Sequence, residues 1–123
     1  MGYQVIDPEA IDPTPDRPCT HRAIGSAADL SELAMNVYEA DPGEQLPLAY
    51  HYHDDQEEAF YVLSGTLTVE TPDGEYTADA GEVFVADPES PHRAYNAGTE
   101  GSLSVLAIGA PPVDDAHPYE SDR

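Results

Sequence analysis

Three histidines and a glutamate are the residues of this chain best suited to chemistry. His51-Tyr52-His53 places two imidazoles two residues apart. In a β-strand that spacing aims both rings at the same face. Asp54-Asp55-Gln56 reads as a polar turn, and Glu57 and Glu58 then open the next strand. His92 arrives much later, on a separate strand after a Pro-containing loop. Neutral imidazole together with carboxylate suits one divalent ion such as Mn, Fe, Ni, Co or Zn. Four protein ligands on an octahedral ion leave room for water or a substrate. The spacing alone does not decide the matter, because a His-x-His pair in a β protein is more often a surface or packing feature than a pair of ligands.

These residues need strands to hold them, and the chain is dense in strand patterns. Segments 20–24, 33–39, 46–53, 58–63, 66–70, 75–77, 82–86, 92–95 and 102–108 alternate or carry β-branched and aromatic residues. Turn signals separate them: Asp41-Pro42-Gly43, Ser64-Gly65, Thr71-Pro72-Asp73-Gly74 and Ala80-Gly81. One stretch, 26–35, has a helical alternative with Ser26 as cap, but its end competes for strand. Short strands with frequent turns indicate an all-β fold. Residues 1–18, with Pro8, Pro13, Pro15 and Pro18 among aspartates, read as an extended arm with one short strand at 3–6. Residues 19–109 form the domain. Residues 110–123, with Pro111, Pro112 and Pro118, read as a flexible acidic tail.

Two stretches resemble the motifs of the cupin superfamily. The first runs from Gly43 through His51, His53 and Glu58 to Gly65 and ends in Tyr61-Val62-Leu63-Ser64-Gly65. The second runs from Gly81 through Pro91 and His92 to Asn96. Two departures stand out. Asp87 and Glu89 occupy loop positions where the family often has Pro and Gly, and the gap from Gly43 to His51 is longer than in the strict motif. The resemblance implies a single-domain jelly-roll-like β-barrel with His51, His53, Glu58 and His92 as metal ligands. The family's spacing to Gly65 selects Glu58 over Glu57. Pleat geometry agrees, since Glu58, Phe60 and Val62 share one face while Glu57, Ala59, Tyr61 and Leu63 share the other; a one-residue slip would reverse the two.

The resemblance further implies a homodimer in which strands cross between subunits. As function it implies a metal-dependent oxygenase acting on a small oxygen-donor substrate. The alternatives are a metal-dependent isomerase, or a non-catalytic module that binds a metal or small molecule. No general base stands out, and Glu57 and Tyr52 are the nearest candidates. Phe60, Val62, Val69, Phe84 and Leu106 either line a cavity or fill the core. Tyr50, Tyr52 and Tyr95 lie beside the ligand positions. Arg93 directly follows His92 and so points away from it, toward an acidic neighbour or a partner subunit. His21 and His117 read as surface residues, and Cys19 as a small packing residue that has no disulfide partner.

Charge sets the outer bounds. The 123 residues carry 25 acidic side chains against 4 basic ones, for a formal charge of -21. The four are arginines, so lysine is absent. The acids lie between strand patterns along the whole chain, which describes a folded domain with a carboxylate coat better than a disordered acidic segment. Such a surface is unsuited to nucleic acid or to an anionic membrane, both of which need Lys and Arg. No targeting segment or membrane span is evident, so a cytoplasmic protein is expected. An acidic coat without lysine resembles proteins of salt-accumulating halophilic archaea. Mutual repulsion in that coat is screened by salt. The melting temperature is therefore expected to rise between about 0.1 M and about 2 M salt. A flat profile in thermal scans over that range would count against the halophile expectation.

Overall fold

A computed structural model describes residues 2–46 and 49–120. Pro47 and Leu48, which fall in the strand expected at 46–53, lie outside the described residues, as do Met1 and 121–123. Among the described residues there are ten strands: β1 (Thr20–Ala23), β2 (Ala34–Ala40), β3 (His51–His53), β4 (Glu57–Ser64), β5 (Thr66–Thr71), β6 (Gly74–Asp79), β7 (Val83–Ala86), β8 (Arg93–Tyr95), β9 (Leu103–Ala110) and β10 (Ala116–Pro118). The helical alternative at 26–35 reduces to a single turn, α1 (Ile24–Ala27), before β2 begins. The short strand expected at 3–6 does not form; the arm instead has a 3-10 turn at Pro8–Ala10. The arm is tied down at three points, where Gln4 Nε2 donates to Ala28 O, Thr14 N donates to His21 O and Arg22 Nη1 donates to Ile11 O.

The strands make three sheets, ordered β1-β2-β9-β4-β7, β6-β5-β8 and β10-β3. The expected closed barrel is not what they form. Closure requires each strand to be hydrogen-bonded to two neighbours around a full ring, with matched tilt and stagger. Here β1 and β7 end the first sheet, β6 and β8 end the second, and β3 pairs in a ladder only with β10. Two isolated bridges, Gln45↔Tyr95 and His51↔His92, stand in for continuous ladders. The architecture is an arrangement of open antiparallel sheets.

Alternation decides what each strand buries. In β9, Leu103, Val105 and Ala107 face inward while Ser104, Leu106 and Ile108 are less buried. The inner row of β4 is Glu58, Phe60 and Val62, and the opposite row includes exposed Tyr61 and Leu63. Leu67 and Val69 of β5 and Ala94 of β8 meet Val62, Leu103 and Val105 of the larger sheet in one core. Five of these side chains, Val62, Leu67, Val69, Leu103 and Val105, are fully buried. Cys19 joins the same core as a free thiol, and burial raises its pKa to about 11, which keeps it protonated and unreactive.

The chain passes from the larger sheet to the smaller at Gly65. Its φ is +82°, a conformation that costs any residue with a Cβ. A Cβ there would also lie 2.7 Å from Ser102 O and 3.0 Å from Leu103 Cα, which are backbone atoms of the central strand's entry. Gly65→Ala is therefore expected to destabilise the protein by about 2 kcal/mol or more, from the strained φ and the clash together. Urea unfolding measures this, and a loss below about 0.5 kcal/mol would contradict the packing described.

Candidate metal centre

Three strands bring the chemical residues together. β3 supplies His51 and His53, the inner face of β4 supplies Glu58, and the residue before β8 supplies His92. His51 and His92 are register partners, each donating its backbone N–H to the other's carbonyl at 3.1 Å and 2.8 Å. His92, Ala94 and Asn96 alternate inward, and all three are buried.

One ligand-type atom from each of His51, Glu58 and His92 lies within 4.8 Å of the other two. Glu58 Oε1 is the common point. It is 3.1 Å from His92 Nε2, 3.1 Å from His53 Nε2 and 3.9 Å from His51 Nε2. These four atoms are buried, yet none has a hydrogen-bond partner among the described residues. The approaches are close but lack the alignment of hydrogen bonds.

The other ring nitrogens explain why. His51 Nδ1 donates to Ala49 O at 2.7 Å, and His92 Nδ1 donates to Ser90 O at 2.8 Å. A carbonyl only accepts, so each Nδ1 carries the proton. The Nε2 of each neutral ring is then a lone pair aimed at a carboxylate oxygen. His53 Nδ1 donates to Asp115 Oδ1 at 2.8 Å, which fixes the same tautomer. Lone pairs facing a buried carboxylate repel unless a proton or a cation stands between them. The donor set therefore fits a divalent cation, held by imidazole and carboxylate.

The electrostatics fit this geometry. Burial opposes the ionisation of Glu58, but the contacts of His53 and His92 outweigh it and hold the carboxyl at about 2. Burial lowers the His51 pKa, and the Ala49 carbonyl does not fully offset it. His53 is raised, chiefly by Glu58, against the effect of burial.

A cavity of about 50 Å³ lies against the cluster, lined by Tyr38, Leu46, His51, Glu58, Phe60, His92 and Ala94. Burial pushes the Tyr38 phenol well above its usual pKa, so it stays neutral. On the other side of His92 a cleft of about 400 Å³ runs past Tyr76 and Phe84 and is edged by Asp73, Asp87 and Glu89. The Phe60 and Phe84 rings pack against the His92 ring at 6.1 Å and 6.3 Å.

Several expected residues stand elsewhere. Glu57 is exposed on the outer row of β4. Tyr52 packs on His117, and Tyr95 donates to Glu75 Oε2. Neither candidate base, Glu57 or Tyr52, is at the centre. Arg93 turns outward and pairs with Glu70 at 3.0 Å. His21 is part-buried, stacked on Tyr38 and bonded to Asn36, which corrects the surface reading. His117 is exposed and pairs with Asp54. Two neighbours of the site, Tyr38 and Asp115, were not singled out. The alternation of β2 could have indicated Tyr38.

The Cupin_2 cupin-domain profile matches residues 36–109, which include every residue of the cluster. The chain belongs to the cupin family. Among solved structures it resembles a protein of Acidithiobacillus ferrooxidans provisionally assigned as a sugar phosphate isomerase. The two are 29% identical with a TM-score of 0.70, over 80% of this chain and 62% of that one. A cupin sugar phosphate isomerase of Silicibacter pomeroyi matches at 22% identity and TM-score 0.82, over 97% of this chain and 83% of that one. A Thermotoga maritima protein predicted to be an oxalate decarboxylase matches at 20% identity and TM-score 0.72, over 87% and 98%. No curated protein matches the chain.

Two pH effects follow for the metal-free protein. Glu58 has its value depressed from 4.5 to about 2, so its contribution to stability is complete above pH 4.5 and is lost as the pH falls toward 2. His53 is raised above 6.5, so its contribution is complete below 6.5 and is lost as the pH rises through the folded value. Melting scans without metal should place the optimum between those limits, and Glu58→Gln should flatten the acid limb. Metal competes with the His53 proton, so apparent metal affinity should climb as the pH rises above 6.5. Affinity independent of pH from 5.5 to 8 would contradict this arrangement.

Proposed function

We propose that this cupin binds one divalent metal through His51, His53, Glu58 and His92 and acts as a metal-dependent isomerase of a small oxygen-donor compound. The observation that carries the metal is the set of four buried, unpartnered atoms, with those of His51, Glu58 and His92 mutually close and that of His53 beside Glu58, and with the imidazole tautomers fixed from behind. The ion would supply Lewis-acid polarisation of a carbonyl or hydroxyl oxygen. The protein's own part is to keep Glu58 ionised, to hold three Nε2 lone pairs inward and to line the cavity with the neutral Tyr38 side chain. An isomerase is favoured over the oxygenase expectation because the similar structures include isomerase and decarboxylase assignments.

The cleft beside His92 bears Asp73, Asp87 and Glu89 and no Arg or Lys among its lining residues. It is suited to an uncharged hydroxy-carbonyl compound better than to a phosphorylated one. A second reading, a metal that serves only as a structural staple, is favoured by the small size of the inner cavity, about 50 Å³ against the several hundred usual for a substrate site.

Elemental analysis of protein purified without an affinity tag should find about one equivalent of metal per chain. His51→Ala combined with His92→Ala should abolish it, and full retention would remove the site. Metal-loaded protein incubated in D₂O with hydroxy-aldehydes and hydroxy-ketones should then exchange the proton α to the carbonyl, followed by NMR. Metal binding that raises the melting temperature without any exchange would replace the isomerase with the staple.

A further inference from the structure

The two ligands on β3 have an unusual support. β3 has no ladder with either large sheet; apart from the single His51↔His92 bridge, its strand partner is β10. The register sets Ala116 opposite His53 and Pro118 opposite His51. The stretch after Gly109, expected to be a flexible tail, thus lies directly behind the metal centre in its described part. One side-chain pair and one backbone hydrogen bond fasten it there. His117 Nε2 meets Asp54 Oδ2 at 2.7 Å, and Tyr119 N donates to Tyr50 O at 3.0 Å.

The chemical link is Asp115. Its Oδ1 accepts from His53 Nδ1 at 2.8 Å, while Oδ2 accepts from the backbone N–H of Asp55 at 2.6 Å and of Gln56 at 3.1 Å. His51 and His92 are oriented by carbonyls two residues before them. His53 alone of the three is oriented by a residue 62 positions away.

Resting on the metal reading above, we propose that Asp115 is a positioning residue for the metal centre, holding His53 in its ligating tautomer. A carboxylate accepts with both oxygens, so a single side chain can fix the turn at 55–56 and the ring at once. An amide cannot do both. In Asp115→Asn, if the amide oxygen stays with the backbone N–H groups, its NH₂ faces His53 Nδ1. That drives the imidazole proton to Nε2, where it blocks ligation.

The test is Co(II) titration of the full-length protein at fixed pH, read by calorimetry and by the visible absorption of the bound ion. The unaltered chain should bind about one equivalent. Asp115→Ala and Asp115→Asn should each weaken Co(II) binding about 10- to 100-fold and change the absorption band. His117→Ala, which loosens the same strand without touching His53, should leave affinity and spectrum close to the unaltered chain. Should Asp115→Ala fail to fold, the near-isosteric Asn variant carries the comparison. Unchanged affinity and spectrum in the Asn variant, or an equal loss in His117→Ala, overturns the role of Asp115 while the metal centre stands. An unaltered chain that binds no Co(II) overturns the centre and this role together.

Discussion

A carboxylate buried among three imidazoles governs this molecule. Glu58 is held ionised at a place where an isolated charge would be costly, and the histidine nitrogens nearest to it present lone pairs. Such a group of atoms is unstable by itself and becomes favourable once positive charge is shared among its members. The surrounding structure serves that condition. Backbone carbonyls orient two of the rings, a carboxylate orients the third, and two phenylalanine rings pack against His92.

The open architecture has a use in this setting. Two sheets clasp an apolar core, while the strand bearing two of the histidines belongs to neither. β3 is placed by one bridge to His92, by the Glu89 N–H donated to His53 O and by β10. A strand built into a large ladder would be fixed by many hydrogen bonds whatever its side chains did. β3 has few, so its side chains and their distant partners bear more of the work of placing it.

Much of this was legible in the residues. Period-two alternation placed Glu58 inward and Glu57 outward, and turned Arg93 away from His92, because a strand offers only two faces. Turn signals marked nearly every connection, since Gly and Pro act locally. Barrel closure was not legible, because alternation tells which face is buried and is silent on whether two edges hydrogen-bond. Asp115 was hidden for a different reason. One aspartate among 25 acidic residues carries no local mark, and its role arises from a contact across 62 positions. His21 was misread as surface since its context is weakly patterned, whereas in three dimensions β1 lays it on Tyr38.

The order of strands in the larger sheet also says something about how the chain must assemble. β9 occupies the centre, flanked by β2 and β4, although it follows both in sequence. Until residues 103–110 are in place, β2 and β4 have no ladder with each other and each presents an open edge. The sheet therefore closes from the inside and late, by contacts between segments far apart in the chain. Topologies of this kind fold slowly, and during that interval the nascent protein exposes strand edges to its neighbours.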